Sequence, residues 1–205
     1  MECSLIMYLP FPSQTNPNVV IRSVCIPFLT DENIEKLIET IDETKWEESL
    51  VRSNVSPTGA YQSSSRVSKL QFIDEKHIQL VQGLAGVISR CNDNNWRFDI
   101  SSFNFNIYQI SINKYDVGVK FDWHMDITET ISTRKLSFTV QLSDPKDYKG
   151  GDLEFFDGEE TKTNPEVRKK GTLIVFPSYT WHRITPITEG TRYSLVGWVH
   201  GNCFR

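Results

Sequence analysis

Cysteine is scarce in this 205-residue chain, and its spacing shows no pattern. The four residues, Cys3, Cys25, Cys91 and Cys203, form no CxxC pair and no series of short intervals. A zinc site built on paired cysteines and a small disulfide-stapled fold are therefore excluded. Cysteines spread in this way favour reduced thiols, and we expect a cytoplasmic protein.

Long apolar runs and basic clusters are missing as well. No segment approaches the ~18 apolar residues that a membrane-spanning helix requires. The opening MECSLIMYLPFPS has an acid at position 2 and an apolar run interrupted by Pro10 and Pro12, so we expect neither a signal peptide nor a membrane partner. The net charge of -4 comes without a basic stripe, which argues against a nucleic-acid partner. The oligomeric state is left open.

Hydrophobic residues are abundant enough for one packed core. They make up 39% of the chain, with 12 Phe and 5 Trp, which suits one domain of this length. We therefore predict a single domain over residues 1–205. Residues 1–102 would form a supporting region of strand and helices, and residues 103–201 would form the core.

One strand and two helices are predicted in the supporting region. The segment NVVIRSVCIPFL predicts a strand, and Thr30 follows it as a helix N-cap. The apolar stripe of this first helix consists of Ile34, Leu37, Ile38 and Ile41. A second helix is expected from Asp74 to about Cys91, burying Ile78, Val81, Ala85 and Ile88. Between them, the Ser-rich residues 52–69 predict a solvated loop or a lid over a binding site.

From residue 103 onward, short alternating segments replace the helical periodicity. FNFNIYQISI and KLSFTVQLS alternate apolar and polar residues. GGDLEFF, GTLIVFP, TWHRITPI and RYSLVGWV follow, separated by turns that contain glycine or proline. Many short strands without intervening helices indicate a β-sandwich or jelly roll of about eight strands rather than a βαβ sheet.

The segment KFDWHMDI, residues 120–127, contains the first candidate site. Asp122, His124 and Asp126 are two residues apart, so strand alternation would place all three side chains on one face. A histidine and a carboxylate on one strand, joined by a second histidine, would form the triad that binds non-haem Fe(II) and leaves coordination positions open. Alternation does not decide which acid is the ligand.

Three other histidines could complete the triad. His77 lies in a predicted helix before the core, and His200 lies near the end of the sequence. His182 is favoured because Arg192 follows ten residues later, with Ser194 on the same strand face. A guanidinium beside a hydroxyl inside a barrel suits a carboxylate ligand, and a buried arginine needs an anionic partner. The alternative is a surface arginine paired with one of the many acids.

Together these segments resemble the Fe(II)- and 2-oxoglutarate-dependent dioxygenases, most closely the prolyl 4-hydroxylase catalytic domain and its bacterial PKHD-type relatives. HMD, then about 55 residues, then HRITPITEGTRYS is similar to the HxD…H…RxS signature of that family. Tyr115, Gly118 and Phe121 stand nine, six and three residues before His124, as in the family. YKGGDLEFF, KGTLIVFPSYTWHRITPI and IPFLTDENIEKLIETI are similar to further family segments. The resemblance covers most of residues 24–199.

This resemblance implies a mainly β fold with flanking α-helices. The core would be a double-stranded β-helix, of the jelly-roll or cupin-like kind, with the N-terminal helices packed on it. The resemblance also implies that His124, Asp126 and His182 bind Fe(II). Asp122 would then be a neighbour of the site rather than a ligand, because the family motif places the carboxylate after the histidine.

The cosubstrate residues also follow from the resemblance. Arg192 matches the basic residue that binds the distal carboxylate of 2-oxoglutarate, and an arginine there points to the bacterial-type branch. Ser194 and Tyr115 match positions that form hydrogen bonds to the cosubstrate. The implied cofactors are Fe(II), 2-oxoglutarate as cosubstrate, and O2, with ascorbate as an accessory reductant.

The implied activity is hydroxylation of a C–H bond coupled to oxidative decarboxylation of 2-oxoglutarate. A prolyl residue of a peptide or protein is the substrate that the resemblance favours, with Trp123, Trp181 and residues 52–69 as candidates for a groove or lid. One alternative is a hydroxylase or demethylase of a small molecule or free amino acid. Another is a non-catalytic jelly-roll module that binds a ligand in the same cavity.

Overall fold

The structure, a computed structural model, describes residues 23–49, 68–100, 109–128, 131–156 and 165–203. The described strands are β1 (Val24–Pro27), β2 (Glu47–Glu48), β3 (Lys69–Phe72), β4 (Ser111–Tyr115), β5 (Phe121–His124), β6 (Arg134–Gln141), β7 (Tyr148–Gly150), β8 (Leu153–Phe155), β9 (Thr172–Pro177), β10 (His182–Ile184), β11 (Ile187–Gly190) and β12 (Arg192–His200). The helices are α1 (Asp31–Ile38), α2 (Ile78–Asn95) and α3 (Pro165–Arg168). Most of the Ser-rich segment and the start of FNFNIYQISI lie outside the described residues.

Helix α1 confirms the predicted N-cap. The Thr30 side chain accepts a hydrogen bond from the backbone N–H of Asn33, which satisfies one of the free donors of the first turn. Ile34 and Leu37 are buried as expected. The helix ends at Ile38, so Ile41 packs against the core from the segment that follows.

Helix α2 begins later and ends later than the sequence predicted. Asp74 caps a single 3-10 turn, Glu75–His77, and the α-helix continues from there to Asn95. Val81 and Ile88 are buried, but Ile78 is 49% exposed, so its predicted burial is wrong. Ile78 is the first residue after the tighter turn, where the helical phase changes, and a uniform period of 3.6 residues does not describe that junction.

Antiparallel sheets packed face to face confirm the predicted jelly-roll architecture. The largest sheet has the strand order β1-β9-β6-β12-β4-β3-β2. A second sheet has the order β5-β10-β8, and β11 pairs with β7. Apolar side chains from the large sheet, such as Ile174 and Phe176, pack against Leu153, Ile184 and Ile187 from the two smaller sheets. This space between the sheets contains the candidate site.

The two faces of the large sheet have opposite chemical character. On β6, Leu136, Phe138 and Val140 join Val81, Leu84 and Ile88 of α2 in the main apolar core. The alternate β6 residues are Ser137, Thr139 and Gln141, which are only 2%, 7% and 2% exposed. A strand usually turns its polar residues to water. Here they are buried, which indicates an internal polar site.

Helices α1 and α2 lie on the apolar face of the large sheet, whereas Val167 of α3 packs with the apolar side chains of the smaller sheets. Both α1 and α2 contribute to the same cluster as the apolar residues of β6 and β9. None of the described helices is long and apolar enough to cross a bilayer. The division of the chain at residue 102 stays a prediction.

Candidate metal centre

Two histidines and one aspartate converge between the sheets. One potential ligand atom from each of His124, Asp126 and His182 lies within 4.8 Å of the others. His124 Nε2 is 3.6 Å from Asp126 Oδ1, and His182 Nε2 is 3.6 Å from Asp126 Oδ2. Ligand atoms at right angles around a divalent ion lie ~3 Å apart. A small inward movement of the side chains would therefore close them around a metal ion.

Cross-strand pairing brings the two histidines together. His124 is the last residue of β5 and His182 the first residue of β10, and the two are directly opposite in register. Their ring centroids are 4.1 Å apart. Asp126 lies beyond the end of β5, where its backbone N–H donates to the carbonyl of Ser178. The two residues of the HxD motif are therefore brought together by the end of a strand and the turn after it, and not by alternation along one continuous strand.

A β-bulge in β5 excludes Asp122 from the centre. His182 is opposite His124, but Ile184 is opposite Phe121, so four residues of β5 are opposite three of β10. Phe121 and His124 therefore share a face, with ring centroids 3.5 Å apart. The expectation that Asp122 shares the face of His124 is wrong. Its carboxylate is 51% exposed and pairs with Lys120 at 3.0 Å.

Backbone carbonyls orient both imidazoles in the same way. His124 Nδ1 lies 2.7 Å from the carbonyl oxygen of Asp122, and His182 Nδ1 lies 2.9 Å from that of Thr180. Because a carbonyl can only accept, each Nδ1 carries a proton, and in the neutral ring the lone pair is therefore on Nε2. Both Nε2 atoms face Asp126, which is the arrangement that a metal requires.

The Asp126 carboxylate is held from several sides. Ser137 donates its hydroxyl to Asp126 Oδ2 at 2.6 Å, and Ser137 and Ser178 hydroxyls are 3.0 Å apart. Burial acts to raise the pKa of Asp126, but the nearby His182 and His124 act against it. The Ser137 hydrogen bond also favours the charged form, and the pKa lies below its ordinary value. The carboxylate is therefore ionised and ready to bind a cation.

Next to the triad, a cavity contains buried polar atoms without protein partners. The Nε and Nη1 atoms of Arg192 and the hydroxyls of Ser194 and Thr139 are buried and make no hydrogen bond among the described residues. The indole N–H of Trp198 is also buried and makes no hydrogen bond among the described residues. Such donors are rarely left unsatisfied in a folded protein. A small molecule with anionic and polar oxygens would satisfy them, and a 2-oxo dicarboxylate fits this set.

Arg192 carries the positive charge of this cavity. It is 1% exposed, and its Nη2 donates to Gln141 Oε1 at 2.9 Å. Its Cζ lies 5.1 Å from the centroid of the Tyr115 ring, which gives the guanidinium an aromatic contact. No described carboxylate lies within salt-bridge distance of Arg192. The site therefore offers an unneutralised cation to a ligand.

The structure brings the predicted site residues into one place, with two exceptions. His124, Asp126, His182, Arg192, Ser194 and Tyr115 all line the cavity. Trp123 instead lies beside Arg183, with the guanidinium carbon 4.7 Å from its ring centroid, and packs edge-on against Phe156. Trp181 is 45% exposed and does not line the cavity.

Four residues at the site were not singled out from the sequence. Ser137 and Thr139 line the cavity, Gln141 accepts a hydrogen bond from Arg192, and Trp198 lines the cavity as well. The first three are the polar half of the alternating segment KLSFTVQLS. Their pattern was visible, but the sequence does not say which face of an amphipathic strand is turned to a cavity rather than to water.

Comparison with known proteins agrees with this geometry. Residues 110–200 match the model of the 2OG-Fe(II) oxygenase superfamily. A PKHD-type hydroxylase of Synechococcus sp. (strain JA-2-3B'a(2-13)) is 38% identical over 100 residues, which are 45% of this chain and 43% of that relative. The matched part of this chain thus spans less than half the length of that relative.

Solved structures share the fold. A Pseudomonas putida prolyl-4-hydroxylase superposes with a TM-score of 0.66 at 17% identity, covering 90% of this chain and 96% of the other. A Trichoplax adhaerens prolyl hydroxylase, in complex with a hypoxia inducible factor oxygen degradation domain peptide fragment, gives a TM-score of 0.67 at 17% identity, covering 91% and 85%. At this identity the likeness establishes the double-stranded β-helix fold.

Proposed function

We propose that this chain is a 2OG-Fe(II) oxygenase that hydroxylates an unactivated C–H bond of an organic substrate. The match of residues 110–200 to that superfamily's model supports the proposal. In this reaction 2-oxoglutarate and O2 are consumed, and succinate, CO2 and the hydroxylated product are released. One oxygen atom of O2 enters succinate and the other enters the product, so atoms and electrons balance.

One observation carries this proposal. The His124, Asp126 and His182 cluster opens onto the same cavity that holds the unneutralised guanidinium of Arg192. A metal-binding triad alone would suit many metalloproteins, and a buried arginine alone would suit many anion-binding proteins. Their combination in one cavity suits an iron enzyme whose cosubstrate has a carboxylate remote from its metal-binding end.

Each residue has a role that its contacts support. His124 and His182 offer Nε2 lone pairs, and Asp126 offers its ionised carboxylate. Arg192 and Ser194 offer donors to the distal carboxylate, and the Tyr115 ring covers the guanidinium. When bound, Fe(II) supplies the redox chemistry that activates O2. The apolar side chains around the triad, including Phe121 and Phe176, exclude water from the reacting atoms.

The finer part of the proposal is a prolyl residue of a peptide or protein as substrate. It is supported by the names of the solved structures that share the fold, one of which contains a bound peptide fragment. Trp198 adds an aromatic side chain to the cavity lining, with the Arg134 guanidinium carbon 3.7 Å from its ring centroid. The cytoplasmic location stays a prediction from the cysteine pattern.

The experiment that tests the chemistry is optical titration without oxygen. Adding Fe(II) and then 2-oxoglutarate to the protein should produce a weak visible charge-transfer band. Arg192→Met should shift the titration to much higher 2-oxoglutarate concentration. A folded protein that binds Fe(II) but gives no such band at any 2-oxoglutarate concentration would contradict the proposed cosubstrate.

The substrate is tested by a panel of candidates under aerobic conditions. Succinate release would be compared for proline-containing peptides, the same peptides with proline replaced by alanine, free amino acids and methylated bases. The proposal expects stimulation above the uncoupled rate by the proline peptides and not by their alanine counterparts. Stimulation by a free amino acid or a methylated base instead would assign the enzyme to a different substrate class.

A further inference from the structure

Gln141 is the described residue that hydrogen-bonds the Arg192 guanidinium. It lies on β6, opposite Ser194 of β12, and it is 2% exposed. Its Oε1 accepts from Arg192 Nη2 at 2.9 Å. The orientation of the amide is fixed by chemistry, because arginine has only donors and the oxygen must face it. Gln141 therefore uses one N–H of the guanidinium and leaves Nε and Nη1 free.

The charge of Gln141 matters as much as its hydrogen bond. A neutral amide orients the guanidinium without neutralising it. A carboxylate at the same position would form a buried ion pair with Arg192, and the cation would then be satisfied inside the protein. The guanidinium of Arg192 therefore has a fixed orientation and a positive charge that the described residues do not neutralise. An external anion binds most favourably to a group in this state.

The stem of Arg192 is fixed by a second contact, at the Gly150-Gly151 turn. Gly151 has a φ of +64°, and a Cβ at this position would lie 3.1 Å from Arg192 Cδ and 2.3 Å from Ile187 Cδ1. The backbone of the turn thus packs directly against the methylene stem. With the stem held by Gly151 and the tip held by Gln141, the guanidinium has little freedom to move away from the cavity.

We propose that Gln141 is a positioning residue that makes the cavity select a 2-oxo acid with a distal carboxylate over one without it. This inference rests on the proposed function, since it concerns the cosubstrate of that reaction. Gln141 acts through Arg192 and needs no contact with the cosubstrate. It holds the guanidinium in place and, being neutral, leaves the charge available.

Two variants separate orientation from charge. Gln141→Glu keeps an acceptor at the same distance but neutralises Arg192, and Gln141→Met removes the acceptor while keeping the volume and the free charge. Gln79→Glu, an exposed position on α2, is the matched control for the same chemical change away from the cavity. Thermal unfolding of each variant checks that the fold is retained.

The readout is binding of two 2-oxo acids to the Fe(II)-loaded protein without oxygen. One is 2-oxoglutarate, and the other is 2-oxopentanoate, in which a methyl group replaces the distal carboxylate. We expect Gln141→Glu to weaken 2-oxoglutarate binding about 10- to 100-fold and to leave 2-oxopentanoate binding unchanged. Gln141→Met should give a smaller loss, again confined to 2-oxoglutarate. Gln79→Glu should bind both acids like the wild type.

Other outcomes distinguish the inference from the proposed function. Equal weakening of both acids in Gln141→Glu would mean a general structural role and would overturn the inference. Unchanged 2-oxoglutarate binding in that variant would overturn it as well, while the proposed function would stand. If the folded wild type binds neither acid, the proposed function fails and the inference fails with it.

Discussion

The hydroxyl of Ser137 donates to Oδ2 of Asp126 at 2.6 Å, from a strand of the large sheet to a turn that follows a strand of the smaller sheet. This contact fixes one carboxylate oxygen and leaves the other directed at His124 Nε2. Hydrogen bonds of this kind orient metal ligands and support their affinity. The large sheet therefore shapes the candidate metal centre although it supplies none of the three proposed ligands.

Removing the Ser137 hydroxyl should weaken metal binding. We expect Ser137→Ala to lower the affinity for Fe(II), or for Co(II) used as a spectroscopic substitute, by about 10- to 100-fold. The cause would be the lost orientation of Asp126. Metal titration checks this, with Ser89→Ala at an exposed position of α2 as the control. Wild-type affinity in Ser137→Ala would show that the turn alone positions the carboxylate.

The two aspartates of KFDWHMDI should behave oppositely. Asp126→Asn removes the charge that the metal needs, and we expect it to abolish Fe(II)-dependent succinate release. Asp122→Asn changes an exposed carboxylate that pairs with Lys120, so activity should be within a few-fold of wild type. Metal content after dialysis gives a second measurement. Loss of bound metal in Asp122→Asn would contradict the assignment made from the β-bulge.

In the ligand-free protein, the buried charge of Arg192 should lower the free energy of unfolding. Its guanidinium is buried and has no carboxylate partner among the described residues, so Arg192→Met should leave stability unchanged or raise it by about 1 to 3 kcal/mol. The same change should abolish stabilisation by 2-oxoglutarate. Chemical denaturation with and without the cosubstrate measures both effects. A large loss of stability in the ligand-free variant would mean that the charge is satisfied within the protein.

Two glycines with positive φ make a matched pair for testing the turn beneath Arg192. Gly151→Ala places a Cβ against Ile187 and Arg192 in addition to straining the backbone. Gly118→Ala strains the backbone at a φ of +85°, but no atom lies within 4 Å of the added Cβ. We expect a loss of about 1 kcal/mol for Gly118→Ala and about 2 to 4 kcal/mol for Gly151→Ala. Urea unfolding compares them, and equal losses would mean that the turn relaxes.

Several features could be predicted from the sequence because they depend on local chemistry. The Thr30 cap follows from residue type and from the apolar stripe after it. The alternation of β6 was visible in KLSFTVQLS. The meeting of His124 and His182 was anticipated through family resemblance, since the 57 residues between these two histidines carry no local signal of contact.

Other features depend on tertiary structure and escaped prediction. The bulge that turns Asp122 outward arises from the pairing of β5 with β10, which strand alternation in one segment does not contain. The burial of the polar face of β6 depends on the sheets that cover it. The phase change at Ile78 depends on the 3-10 turn before it. In the first two cases a rule about one segment was overridden by a strand distant in sequence, and at Ile78 by the turn directly before it.

The opposite faces of β6 have a consequence for how this protein can change. Its even-numbered positions, Leu136, Phe138 and Val140, pack with the helices. Of its odd-numbered positions, Ser137 and Thr139 line the cavity and Gln141 hydrogen-bonds Arg192. Substitutions that retune ligand preference can therefore accumulate at every second residue while the intervening residues preserve the fold. Along this eight-residue strand, the residues that preserve the fold and the residues that contact a bound ligand are therefore different ones.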